Sequence, residues 1–212
     1  MSSVCLPRHP AVAYLFLVRP RTRMTIDELI EHYYDDLDGA ITGFSGDTAT
    51  LDITFEYDES FQGEARVATI RCKDVRECTL HPGGVAELTR PADHPLLWQH
   101  TQPHQILAFS SAPPNAFELL GRLYSAHEQL FGRWRAPRDY IHATPEILSG
   151  GHGQLAHGPE KAIQSYRQIA QAVLQCSVVP QFTPKDSCQL ILFDEMFVIC
   201  RDVSLLDSPE RA

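Results

Sequence analysis

The spacing of the apolar residues changes along this chain, and that change most constrains how it folds. Between Ile26 and Leu37, apolar residues recur every three or four positions, as they do on the buried face of a helix. From Thr48 to Asp58 the period becomes two, which is typical of an antiparallel strand with one buried face. The alternating apolar positions are Leu51, Ile53, Phe55 and Tyr57. The chain therefore has to combine helix and antiparallel sheet.

Local signals place the boundaries of these first elements. Thr25 and Glu28 have the spacing of a capping box, in which each side chain binds the other residue's backbone N–H, and they predict the start of the helix. The pair Gly46-Asp47 predicts a turn that joins a strand over residues 40–44 to the alternating strand. Two further strands are predicted, over Ala11–Val18 and Val67–Cys72.

The middle of the chain alternates between helical patterns and breaks. Proline and glycine punctuate residues 81–103, which predicts a long loop or a junction. A strand is predicted over Gln105–Ser110, then a helix from about Pro114 to Phe131 and another over about 159–175. The stretch over residues 140–159 is predicted to be a loop. The predicted inner face of the first of these helices is Phe117, Leu120, Leu123, Tyr124, His127, Leu130 and Phe131.

The last apolar runs predict a hairpin. Leu190–Phe193 and Met196–Cys200 flank the turn Asp194-Glu195, and the polar residues from Ser204 onward are expected to fray. Together the patterns predict an α+β fold, with antiparallel meanders near both ends of the chain and about three principal helices packed on them. Two domain organisations remain open: one domain over residues 1–212, or two lobes of about 1–80 and 104–205 joined by residues 81–103.

Residues 25–65 carry the most unusual charge distribution in the chain. They contain twelve of the 27 acidic residues and none of the 18 Lys and Arg residues, so the net charge of −9 originates there. Such a segment predicts a surface for a basic protein partner, because complementary charge speeds encounter and selects partners. A face that is only solvated and solubilising is the alternative. The residues expected to contact the partner are Glu28, Glu31, Asp35, Asp52, Glu56 and Asp58.

Composition restricts the remaining classes of function. The longest apolar run, Ala11–Val18, is too short for a membrane span and is flanked unlike a signal peptide, so no membrane association is expected. The six cysteines include no CxxC pair, which fits free thiols in a cytoplasmic protein. The only tight basic cluster adjoins the acidic segment, so direct nucleic-acid binding is not expected. The sequence gives no indication of the oligomeric state.

Histidines and glycines supply the candidates for a catalytic or metal site. Four histidines lie in or beside residues 81–103: His81, His94, His100 and His104. Their spacing matches no standard metal motif, so neither a metal nor another cofactor is expected. The glycine-rich loop 149–153 lacks the Lys-Ser/Thr ending of a phosphate-binding loop. His127 falls on the apolar stripe of its helix and is predicted to be a hydrogen-bonded core residue.

The sequence supports two functional hypotheses and identifies no catalytic residue. The first is a non-enzymatic binding protein, such as an immunity or inhibitor protein, that uses the acidic segment to engage a basic partner. The second is a small enzyme of hydrolase or transferase type, with a site formed by the histidine-rich loop, the glycine-rich loop 149–153 and His127. An enclosed cleft lined by histidines would favour the enzyme, and a broad acidic face without such a cleft would favour the binding protein.

Overall fold

The first part of the chain forms one helix and six strands among the residues that the structure describes. A computed structural model describes residues 24–33, 39–58 and 65–206, so the predicted strand Ala11–Val18 lies outside the described residues. The elements of the first part are α1 Ile26–Tyr33, β1 Gly39–Gly46, β2 Thr50–Asp58, β3 Ala65–Lys73, β4 Glu77–Thr79, β5 Gly83–Val85 and β6 Leu88–Thr89.

The second part alternates helices and strands and then returns to strands alone. Its elements are α2 Pro95–Thr101, β7 His104–Phe109, α3 Ala116–Phe131, a 3₁₀ turn Pro137–Asp139, α4 Pro145–Ser149, β8 Gly153–Pro159, α5 Glu160–Ala170, β9 Cys176–Pro180, β10 Gln189–Phe193, β11 Met196–Cys200 and β12 Asp202–Leu206.

These strands form three antiparallel sheets, and the fold is α+β as the sequence predicts. The large sheet has the order β12-β3-β2-β1-β5, the second sheet β4-β11-β10-β6, and the small sheet β8-β7-β9. Strands β10, β11 and β12 follow the small sheet in sequence but pair with β6, β4 and β3 of the first part. The chain therefore leaves the first two sheets, builds the small sheet with its helices, and returns to complete the first two.

The first core lies between the large sheet, the second sheet and α1. The Thr25 N–H donates to Glu28 Oε2 at 2.6 Å and the Glu28 N–H donates to Thr25 Oγ1 at 3.2 Å, which confirms the capping box. Helix α1 then buries Ile26 and Leu29 in the core. The alternating apolar residues of β2 are buried with them, and so are Ile191, Phe193, Met196 and Val198 of the hairpin β10–β11. The predicted period-two strand and the predicted hairpin are both confirmed.

The second core lies between the inner face of the small sheet and helices α3 and α5. Leu107 and Phe109 of β7 pack with Leu123 of α3 and Tyr166 of α5 in one buried cluster. Gly158 is required on β8, because a Cβ atom there would lie 2.4 Å from Cδ1 of the buried Tyr140 ring. The small sheet is therefore rigidly supported on one side.

A third cluster joins the two cores. Leu96 and Leu97 of α2 are buried against Leu190, Phe197 and Ile199 of the second sheet, and Trp134, which follows α3, packs on the same cluster. Helix α2 was not predicted, because two prolines bracket a segment of only seven helical residues. Its first turn contains Pro95, and the His94 Nδ1 accepts from the Leu96 N–H at 3.2 Å. Pro95 and His94 therefore start a helix where a loop was expected.

Four other predictions need correction. Residues 140–159 contain α4 and β8 in place of a loop, and the helix predicted over about 159–175 is α5, which ends at Ala170. Of the tail expected to fray from Ser204 onward, residues 204–206 belong to β12, which forms five pairs with β3, and the rest lies outside the described residues. On α3, Phe117 is 76 % exposed and Tyr124 is 44 % exposed, so the buried stripe is centred on Leu119, Leu120 and Leu123. In each case pairing or packing with distant residues decided the outcome.

No helix in residues 24–33, 39–58 and 65–206 is long and apolar enough to cross a bilayer. The longest, α3, has 16 residues and an exposed polar side.

Candidate functional site

The outer face of the large sheet contains part of the predicted acidic surface, and there Asp52 is paired with a basic residue. Asp52 of β2 lies directly opposite Arg71 of β3. The Arg71 Nε and Nη2 atoms donate to the two carboxylate oxygens of Asp52, each at 2.7 Å. This bidentate hydrogen bond lowers the pKa of Asp52, and burial opposes the shift. The charge of Asp52 is therefore locally compensated, which the composition of residues 25–65 did not indicate.

The other predicted contact residues occupy different positions. Glu56 is four residues further along β2, half-buried, and opposite Val67. Glu28 and Glu31 are exposed on α1, and the Glu28 carboxylate also caps that helix. Asp35 lies outside the described residues, as does the side chain of Asp58, whose backbone ends β2.

The sheet itself separates the two groups of acids. Ile26 and Leu29 of α1 pack in the core with Ile53 and Phe55, the inward residues of β2. Because successive strand residues point to opposite faces, Asp52 and Glu56 project away from the side on which α1 lies. The acidic helix and the acidic strand positions therefore do not form one continuous flat surface.

A partly buried ionic cluster lies where the first and second parts of the chain meet. Glu77 of β4 accepts from His100 Nε2 of α2 at 2.7 Å and from both Nη atoms of Arg135, at 2.7 and 2.9 Å. Burial acts to raise the pKa of Glu77, but the hydrogen bonds and charges of His100 and Arg135 outweigh it and lower the pKa to about 2. Glu77 is therefore a permanent anion at neutral pH, and it holds three elements together.

His127 is a core residue, as predicted. It is 1 % exposed; its Nε2 atom lies 2.8 Å from the carbonyl of Arg135, and its Nδ1 lies 2.6 Å from the Tyr166 hydroxyl. A carbonyl only accepts, so Nε2 carries the proton and Nδ1 accepts from Tyr166. Burial lowers the pKa of His127, against the Arg135 carbonyl and the charge of Asp139. A neutral imidazole with both nitrogens occupied has no free atom for catalysis.

The parts of the proposed enzyme site are not brought together. The glycine-rich loop ends at Gly153, which pairs with Phe109 at one end of β7, whereas His104 begins the other end, about 17 Å away at 3.4 Å per residue. A shallow groove of about 370 Å³ runs along α3 and α5. Its lining contains no histidine and consists of Glu118, Gly121, Arg122, Ser125, Ala126, Gln129 and Ile169.

The structure instead assembles a row of histidines that the sequence did not predict. On the outer face of the small sheet, the ring of His157 lies 5.6 Å from that of His104 and 6.5 Å from that of His142, measured between centroids. Phe182 stacks on His104 at 4.3 Å, and Ile106 and Val179 continue the same face. Burial lowers the pKa of His157, and the charges of His104 and His142 lower it further. The strand positions of this face carry no charged residue.

Only strand register could have revealed this row. His157 lies opposite Ile106, the second residue after His104, and Ile141 forms an isolated bridge with Ala156 that places His142 beside His157. None of these pairings follows from sequence spacing. Comparisons with protein-family models, curated proteins and solved structures found no match to this chain.

Proposed function

We propose that this chain is a non-enzymatic binding protein, of the immunity or inhibitor type, that engages a basic protein partner through acidic residues of the segment 25–65. The observation that carries the proposal is the exposure of Glu28 and Glu31 on α1, whose opposite side is buried in the core. The neighbouring Asp27 is exposed too, but its carboxylate lies 3.4 Å from the Arg90 guanidinium. The helix thus offers carboxylates on a rigid support, and complementary charge of this kind increases association rates.

The contributions of the six residues are expected to be unequal. Glu31 and Glu56 contribute most, because neither has an ion pair among residues 24–33, 39–58 and 65–206, whereas Arg71 neutralises the charge of Asp52 in a bidentate pair. Glu28 contributes less, because its carboxylate already binds the Thr25 N–H. Asp35 and Asp58 belong to the proposal through their place in the sequence.

The structural roles of three histidines support a binding protein over an enzyme. His94 caps α2, His100 pairs with Glu77, and His127 is fully hydrogen-bonded in the second core. Each of them has a structural partner; His94 and His100 lie at opposite ends of α2, and His127 lies on α3. The chemistry that the enzyme hypothesis needed is therefore distributed over the fold, and no step is assigned to it.

We also place the binding protein in the cytoplasm. The five cysteines among the described residues are all free thiols, and Cys72 and Cys200 are fully buried in the first core. Free buried thiols fit a reducing compartment, where disulfides are rare.

The experiment combines capture with kinetics. Wild-type protein is used to capture partners from a lysate of its source cell at low and high salt, and a basic protein released by salt is then purified. Its association rate is measured with the wild type, with Glu31→Lys and with Glu56→Lys, each alone, because the two residues lie on opposite sides of the large sheet. The matched control is Glu118→Lys, the same charge reversal on α3.

We expect Glu31→Lys to lower the association rate and its salt dependence more than Glu118→Lys does, since attraction at the docking surface changes the rate of encounter. A larger effect of Glu56→Lys than of Glu31→Lys would locate the docking surface on the outer face of the large sheet. Equal effects of all three variants would show that the carboxylates only adjust the net charge, and would refute the proposal.

A further inference from the structure

The row of histidines on the small sheet contains an unsatisfied buried atom. His104 is 1 % exposed, and its Nε2 lies 2.9 Å from the carbonyl of Gln99. The carbonyl can only accept, so Nε2 carries the proton and Nδ1 keeps its lone pair. That Nδ1 is buried and has no hydrogen-bond partner among the described residues. A buried polar atom without a partner is unfavourable and calls for a ligand.

The contacts that orient the His104 ring are those of a typical metal-binding histidine. A histidine that binds a metal through one nitrogen usually donates the other N–H to a carbonyl or carboxylate, which fixes the tautomer and the ring orientation. His104 has this arrangement through Gln99, and Phe182 stacks on its ring and restricts its rotation. The orientation of the free nitrogen is therefore fixed before any ligand arrives.

The neighbouring ring stands at a suitable distance. Two imidazoles that share a zinc ion at Zn–N distances of about 2.0–2.1 Å have ring centroids roughly 5–6.4 Å apart, depending on the angle at the metal. The centroids of His104 and His157 are 5.6 Å apart. His142, at 6.5 Å from His157, lies just beyond this range, and its side chain is exposed and can rotate.

We propose that His104 and His157 form a binding site for Zn²⁺ on the outer face of the small sheet, with Nδ1 of His104 as the fixed ligand. Across residues 24–33, 39–58 and 65–206, no three His, Cys, Asp or Glu side chains are already arranged around one ion. The site therefore begins with two imidazoles, and His142 becomes the third ligand by rotating toward them. Water completes the tetrahedral shell.

This inference is independent of the proposed acidic docking surface and revises the expectation of no metal. That expectation rested on the spacing of His81, His94, His100 and His104, of which His94 and His100 have structural partners. Imidazole ligands suit Zn²⁺ among the divalent ions, whereas Mg²⁺ and Ca²⁺ need oxygen ligands. The strand positions around Ile106 and Val179 offer no carboxylate, which is a further argument against Mg²⁺ and Ca²⁺.

The test is a calorimetric titration of the untagged, full-length protein with Zn²⁺ at neutral pH. We expect one equivalent to bind to the wild type, His157→Ala to lose this binding, and His142→Ala to weaken it. Two controls address other ligands: His152→Ala removes an exposed histidine of the glycine-rich loop, and Cys78→Ser removes an exposed thiol. Both should bind zinc as the wild type does.

Nuclear magnetic resonance of the imidazole nitrogens keeps the test independent of folding defects in variants at the buried His104. On addition of Zn²⁺ to the wild type, Nδ1 of His104 should show the largest change in chemical shift, and Nε2 should remain protonated. The proposal is wrong if the wild type binds no zinc, if His157→Ala binds it equally well, or if His152→Ala or Cys78→Ser removes the binding.

Discussion

The large and small sheets are both antiparallel, yet the side chains on their outer faces differ in chemistry. On the large sheet, Asp52 and Arg71 face each other and neutralise their charges across two strands. On the small sheet, His104 and His157 lie together with apolar residues, and one imidazole nitrogen is buried without a partner among the described residues.

The difference shows that charge counted along the sequence does not predict the charge of the folded surface. The acidic segment was the most conspicuous feature of the chain, but strand pairing supplied Arg71 from outside it. The histidine row was inconspicuous, but strand pairing concentrated it. The carboxylate of Asp52 is already satisfied by Arg71, whereas the buried imidazole nitrogen of His104 has no partner among the described residues and is open to a ligand.

The largest expected effect tests whether the small sheet is rigid on its inner side. Gly158→Ala places a Cβ atom 2.4 Å from Cδ1 of Tyr140, whose ring stacks on Phe131. Because the ring is buried on all sides, we expect the free energy of unfolding to fall by about 2–3 kcal/mol, as for overpacked cores. Urea denaturation measures this change.

Gly121→Ala on α3 is the matched control. A Cβ atom there meets nothing within 4 Å, and alanine is the better helix former, so this variant should gain roughly 0.5–1 kcal/mol. If both variants change stability in the same direction, the close packing of Tyr140 on Gly158 does not exist.

The next-largest effect tests whether the Asp52–Arg71 ion pair stabilises the large sheet. Asp52→Ala removes a bidentate partner of Arg71, and the two side chains are 25 % and 35 % exposed. We expect a loss of about 1 kcal/mol, near the upper limit for a pair that solvent partly screens. The double variant with Arg71→Ala should lose less than the sum of the single variants in urea denaturation.

Glu56→Ala provides the comparison on the same strand and face, and it should change stability by less than about 0.5 kcal/mol. Strictly additive effects of Asp52→Ala and Arg71→Ala would mean that the pair does not stabilise the sheet.

A pH-dependent effect should distinguish the two cores. Burial lowers the pKa of His127 in the folded state, whereas the unfolded value is about 6.5. The folded state then binds fewer protons, so its stability is complete above about pH 6.5 and decreases as the pH falls below that value. Asp52, in the large sheet, has a lowered pKa and loses its contribution only in more acidic solution.

Hydrogen exchange, corrected for intrinsic rates, measures this difference between pH 7 and pH 5. Amides of α3 around Leu123 should lose protection before those of β2 around Ile53. His127→Gln retains a donor and an acceptor but does not titrate, so it should reduce the effect. Equal loss of protection in both regions would contradict the assignment to His127, which contacts Tyr166 and lies near Asp139.

The smallest effect concerns the two sides of β9. Val179 is 43 % exposed on the outer face, so Val179→Thr should change the free energy of unfolding by less than about 0.5 kcal/mol. Val178 packs against the second core, and Val178→Thr should cost about 1 kcal/mol more because it buries a hydroxyl there. Thermal or urea denaturation measures the stability loss of each variant. A larger loss for Val179→Thr than for Val178→Thr would mean that Val179 is buried.

Elements with strong local signals could be predicted from the sequence. Thr25 and Glu28 identified the start of α1, and the alternation from Leu51 to Asp58 identified β2, because both patterns depend on residues a few positions apart. Helix α2 and strand β12 were missed because both are short, α2 begins at a proline, and the apolar residues of β12 are interrupted by Ser204. Their structure depends on burial of Leu96 and on pairing of Val203 with Cys72, which are long-range contacts.

The candidate sites were less predictable than the fold for the same reason. His127 was correctly placed in the core from the helical period, which is a local property. The partner of Asp52 and the neighbours of His104 depend on the register of strands separated by long connections. A shift of one residue would turn each of these side chains to the other face, so composition alone could not assign them.

The late return of β10, β11 and β12 has a consequence for synthesis of the protein on the ribosome. Until residues 189–206 emerge, β3 has an unpaired edge and the first core lacks Phe193 and Val198. All residues of the second core precede them, so the small sheet and its helices can fold first. The earliest part of the nascent chain is thus the last to become native, and its exposed strand edge must be shielded from aggregation while translation continues.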